Sequence, residues 1–218
     1  MDFVNEFCKL GNKKISENMS AYMRNKFKFL GVKSPERKSF QKQIFKSLKN
    51  CKEIDVNFVL EFFGQPYREF QYIAIDYLIM MKKYFQKRHI ALLKNLISEK
   101  SWWDTVDIIA SNLLGEICKM YPSLIDEFII DWINHENIWI RRSSIIFQLR
   151  YKEFTNLYVL QKSIEDNIND ENFFIQKAIG WSLREYSKTN LDWVLKFLNS
   201  HSLKPLSKRE AMKYANKK

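Results

Sequence analysis

The chain has 218 residues, of which 46% are hydrophobic and 28% charged, and carries a formal net charge of +11. Five glycines and four prolines are too few for the many turns of an all-β protein and fit long helices with short connections. Cys8, Cys51 and Cys118 are odd in number and far apart, which argues for a reduced cytosolic setting over a disulfide scaffold, and His89, His135 and His201 have no companion at zinc-ligand spacing. No metal and no cofactor is expected. Residues 1–100 hold 20 Lys/Arg against 10 Asp/Glu, whereas residues 101–218 hold 16 against 15. That asymmetry points to a polyanionic partner, nucleic acid or an anionic membrane surface.

The N-terminus, Met1-Asp2-Phe3-Val4-Asn5-Glu6, has no basic segment followed by an apolar one, and apolar runs are broken by charges well short of a membrane span. A cytoplasmic protein with no membrane partner is expected. Helical periodicity runs from about residue 15 to 216, with breakers at Gly31 to Pro35, Gly64-Gln65-Pro66, Tyr121-Pro122, His135-Glu136-Asn137 and Lys204-Pro205. Ser34 ahead of Pro35 has the form of a helix N-cap with proline in the first turn, and Pro66 and Pro122 open helices in the same way.

Four segments resemble one another. They are Glu69 to Tyr77, Trp103 to Ile109, Trp139 to Ile146 and Phe174 to Trp181, the last two steps spanning 36 and 35 residues. Each is followed by a second amphipathic stretch: 90–100, 122–134, 156–169 and 191–200. A two-helix unit at this period predicts an all-α fold, a right-handed α-solenoid of HEAT-like helix pairs with a concave basic face. The expected organisation is one domain over 1–218, with a helical cap at 1–34 and stacked pairs at 35–216. A monomer is expected.

The stretch Ser101-Trp102-Trp103-Asp104-Thr105-Val106-Asp107 carries the chemistry. Trp103 and Asp107 are four residues apart and share one helical face. An indole face attracts cations and a carboxylate beside it stabilises positive charge. With a period of 35, Asp107, Arg142 and Lys177 occupy equivalent positions on successive helices, with Trp103 one turn before Asp107 and Trp181 one turn after Lys177. These five residues are expected to gather as two indoles around a carboxylate and two cations. Trp102, Trp132, Trp139 and Trp193 are assigned to packing.

The motif at 101–107 resembles the helix-opening motif of the AlkD-like DNA alkylation repair proteins, which are built from HEAT-like repeats. The resemblance continues through 137–142, Phe173-Phe174-Ile175-Gln176-Lys177-Ala178-Ile179-Gly180-Trp181, and 205–211, and includes Tyr22-Met23-Arg24-Asn25 and Phe29 to Arg37. It implies a DNA glycosylase that excises cationic N3- or N7-alkylated purines from duplex DNA without conventional base flipping. Trp103 and Trp181 would hold the lesion nucleoside, and Asp107 would stabilise the oxocarbenium-like sugar and position water. Arg142 would contact backbone phosphate, and Tyr22 and Lys177 would be further DNA contacts.

Family members usually begin with two helices ahead of the Tyr22 motif. Here eighteen residues containing Gly11-Asn12-Lys13-Lys14 separate Phe3 from Tyr22, so the expectation is a shortened N-terminal region in which the DNA-gripping helix is missing or collapsed. The alternative that follows is a non-catalytic repeat protein that keeps the cluster but binds DNA weakly.

Overall fold

The computed structural model describes residues 3–48 and 50–217. The chain is all-α and built of helical repeats, and no β-strand forms among the described residues. It divides into two compact units, Met1–Phe85 and Gln86–Lys218.

The first unit holds α1 (Phe3–Cys8), α2 (Lys13–Tyr22), α3 (Ser34–Leu48), α4 (Val56–Gly64) and α5 (Arg68–Met81). The expectation of a collapsed N-terminal region is therefore corrected: two helices form between Phe3 and Tyr22. Six residues make too short a helix to stand on propensity alone, and α1 is held by Phe7. That ring is fully buried, 5.0 Å from Phe40 and 5.2 Å from Phe70 between ring centroids. The turn closes in four residues because Gly11 N–H returns to the Cys8 carbonyl and Asn12 caps α2, its side chain accepting from Ile15 N–H at 3.1 Å.

After α2 the backbone enters the left-handed region at Arg24 and Asn25 (φ 55° each) and again at Gly31 (φ 86°). A Cβ on Gly31 would sit 2.1 Å from the Asn12 carbonyl oxygen, so only glycine fits. The three amides of Leu30, Gly31 and Val32 then donate to one buried carboxylate, Glu69 on α5, at 3.0, 2.9 and 3.2 Å. Charge-assisted bonds of this kind compensate its loss of water and fix the loop that follows Tyr22.

The second unit contains α6 (His89–Ser98) and α7 (Trp103–Ile108). The latter runs on through a π-helical stretch, Ile109–Leu114, into α8 (Gly115–Met120). Next come α9 (Ile130–Trp132), α10 (Ile138–Ile146), α11 (Leu157–Glu165), α12 (Phe173–Tyr186), α13 (Leu191–Ser200) and α14 (Pro205–Met212). The repeat is written in hydrogen bonds as well as in apolar spacing. Asn137 caps α10 by accepting from Trp139 N–H, and Asn172 caps α12 by accepting from Phe174 N–H, each at 2.9 Å. Arg141 donates to the carbonyls of His135 and Glu136, and Gln176, its equivalent, donates to those of Asp170 and Glu171. The second helices repeat the device with Asn156 and Asn190 as caps of α11 and α13. The core between them is aliphatic: Ile145, Leu160, Ile164, Ile175, Ile179 and Leu183 are all at most 3% exposed.

Candidate active site

The site grows from the start of α7. Trp102 is extended (φ −160°, ψ 161°) and turns the chain into the helix, so Trp103 opens it and Asp107 lies one turn further on. From Ile109, two residues beyond Asp107, the helix widens to π geometry. The side chains there compete for backbone acceptors: Ser111 Oγ donates to the Asp107 carbonyl at 2.7 Å and Asn112 Nδ2 to the Ile108 carbonyl at 3.1 Å. Single-turn π segments concentrate at functional sites.

Asp107 is met by Arg142 from α10. Arg142 Nε donates to Oδ1 at 2.7 Å and Nη2 to Oδ2 at 2.8 Å, the planar bidentate match of guanidinium and carboxylate. Arg142 Nη1 donates to the backbone carbonyl of Phe174, the second residue of α12. One side chain thus ties α7, α10 and α12 together. The Arg142 side chain is 5% exposed and that of Asp107 16%, so the carboxylate keeps a path to solvent while its partner does not.

The same three helices also meet through aromatic rings. Trp102, Trp139 and Phe174 meet at centroid distances of 5.6, 5.1 and 4.8 Å in tilted or edge-on geometries. Trp139 and Trp102 are buried, as is Trp132 at 2% exposure, in keeping with their assignment to packing; Trp193 is partly buried against the core. Trp103 is half-buried on α7, and Trp181 on α12 packs partly against the aliphatic core. Tyr22, at the end of α2 in the first unit, is 72% exposed.

Of the five residues expected to gather from register, Asp107 and Arg142 are in direct contact, and Lys177 donates to Glu210 on α14, Nζ to Oε1 at 2.6 Å. Arg142, expected to face phosphate, has its guanidinium committed inside the protein. Two contributors escaped the sequence reading: the Phe174 carbonyl, which no side-chain pattern reveals, and Glu210, which lies 33 residues from Lys177 and so outside the 35-residue register. Among the described residues no group of three or more His, Cys, Asp or Glu side chains is placed to hold a metal, and no helix is long and apolar enough to cross a membrane.

The family model described as DNA alkylation repair enzyme matches residues 3–215. The chain belongs to the DNA alkylation repair enzyme family. Among solved structures it is similar to a predicted DNA alkylation repair enzyme from Enterococcus faecalis, with 35% identity, a TM-score of 0.89, and coverage of 95% of this chain and 98% of that one. Two more distant likenesses share the family fold. Smu.31 from Streptococcus mutans UA159 has 19% identity and a TM-score of 0.60 over 82% of this chain and 94% of that one. AlkD2 from Streptococcus mutans has 20% identity and a TM-score of 0.57 over 80% and 88%. No curated protein matches the chain.

Proposed function

We propose that this member of the DNA alkylation repair family is a glycosylase that removes cationic N3- and N7-alkylated purines from duplex DNA without drawing the base into a pocket. The observation that carries the reading is the Asp107 carboxylate, held through both oxygens by Arg142 yet still open to solvent, one turn from the half-buried indole of Trp103.

Alkylation at N3 or N7 puts a positive charge on the purine and makes it a good leaving group. As the glycosidic bond breaks, charge develops on the deoxyribose, and a fixed carboxylate beside it lowers the barrier without having to reorganise. Asp107 serves that role and positions the attacking water. The indole faces of Trp103 and Trp181 hold the sugar and the charged base by CH–π and cation–π contact. Arg142 acts on Asp107 by fixing both carboxylate oxygens, which makes it a positioning residue rather than a phosphate contact. Tyr22 and Lys177 serve as DNA contacts. No general acid is needed, because the leaving base already carries its charge.

The test is direct. Methylated duplex DNA is incubated with the protein, and released 3-methyladenine and 7-methylguanine are quantified by chromatography. Release above the spontaneous rate supports the reading. Weak DNA binding with no release would favour the non-catalytic alternative.

A further inference from the structure

Glu210 sits on α14 with its side chain 5% exposed, yet three cations converge on it. Lys177 Nζ (α12) and Lys213 Nζ donate to the same oxygen, Oε1, at 2.6 and 2.7 Å, and Arg184 Nη1 (α12) donates to Oε2 at 2.8 Å. The cation side chains are 34%, 49% and 26% exposed respectively for Lys177, Lys213 and Arg184. Three positive charges against one carboxylate leave a local excess of two, facing solvent. Like charges gathered this closely repel, and a single carboxylate offsets only part of that. The arrangement exists because α14 lies flush on α12. Ser207 Oγ donates to the Gln176 carbonyl, and at Gly180 a Cβ would come within 2.4 Å of Glu210 Cβ. Lys177 Nζ also lies 5.8 Å from the ring centre of Phe173, itself 53% exposed.

We infer that Glu210 organises Lys177, Arg184 and Lys213 into a preformed phosphate site that takes one internucleotide phosphate of the DNA backbone. A second anion relieves the surplus charge. Its two unshared oxygens match what the cluster presents, a guanidinium with spare N–H donors and two ammonium groups. The carboxylate stays beneath, holding the cations at the spacing the phosphate needs, so their ordering is not a cost of binding. The inference rests on the reading of the protein as a duplex-DNA enzyme and adds to it a defined phosphate contact in which Arg184, Lys213 and Glu210 join Lys177.

The experiment measures affinity for an undamaged duplex against salt concentration. Lys213→Ala is expected to lower the log–log salt slope by about one and to weaken binding on the order of tenfold at 0.1 M salt. Lys213→Arg is expected to keep the wild-type slope. The control is Lys188→Ala, which removes the same charge from a lysine paired with Glu185 and should leave the slope unchanged. If Lys213→Ala and Lys188→Ala cannot be told apart, the phosphate site is overturned while the glycosylase reading stands or falls on its own assay. Wild-type protein with no salt-dependent DNA affinity would overturn both. Inorganic phosphate that competes for the cluster at constant ionic strength, with the DNA slope of Lys213→Ala unaltered, would assign it to free phosphate and overturn the DNA contact.

Discussion

Arg142 holds Asp107 by both carboxylate oxygens, at 2.7 and 2.8 Å, and spends its remaining nitrogen on the Phe174 carbonyl. The pair joins two helices one repeat apart, so its strength bears on the fold and on the chemistry together. Removing one partner of a largely enclosed ion pair leaves the other uncompensated.

Arg142→Ala should therefore cost about 3–5 kcal/mol of stability, read as a shift in the urea midpoint. In Asp107→Asn/Arg142→Gln both charges are gone, and part of that loss should return while base release does not. A double variant no more stable than Arg142→Ala would show that the pair is not the source of the cost.

Gly180 sets the approach of α14 to α12. A Cβ there would lie 2.4 Å from Glu210 Cβ and 2.7 Å from the Ser207 carbonyl oxygen. Gly180→Ala should destabilise by about 1–3 kcal/mol, as overpacking does. Calorimetry should find a lower melting temperature, by about 2–4 °C for each kcal/mol at this chain length. An unchanged melting temperature would mean that the two helices can part without cost.

Most of the repeat was legible in the sequence, and the site less so. The spacing of Trp103, Trp139 and Phe174 marks the 35-residue unit, because core facing is local, whereas the matching asparagine caps Asn137 and Asn172 emerge from the hydrogen bonds of the fold. Register made Asp107 and Arg142 equivalent, and neighbouring repeats then brought them into contact. It also made Lys177 equivalent, but that lysine follows the carboxylate of α14, whose offset differs. That two short helices fit within the N-terminal cap was not expected, because α1 depends on the distant rings Phe40 and Phe70. The π segment after Asp107 arises from side chain-to-backbone bonds that periodicity does not register.

Glu210 gives an acid signature. Burial alone would raise its pKa, but hydrogen bonds and charge from Lys177 and Lys213 outweigh burial and bring it down to about 2 from 4.5. A depressed carboxylate contributes stability that is complete above about pH 4.5 and disappears as pH falls towards about 2. Acid titration of wild type against Glu210→Gln should show a stability difference that shrinks through this window. A difference independent of pH would contradict the pairing.

The thiols should react unequally. Burial pushes Cys118 up to about 12, whereas Cys51 is exposed. Since the thiolate is the nucleophile, iodoacetamide at pH 8 should label Cys51 in the native protein and reach Cys118 only on unfolding, as peptide mass spectrometry would report. Equal native labelling would contradict the burial of Cys118.

The most direct test of the account is single-turnover release of 7-methylguanine from methylated duplex DNA by wild type and by Asp107→Asn, with thermal melting of both proteins run in parallel. The account predicts clear release by wild type and a loss on the order of 10²–10³-fold in the variant while it remains folded at the assay temperature. A folded Asp107→Asn protein that releases base at the wild-type rate would contradict it.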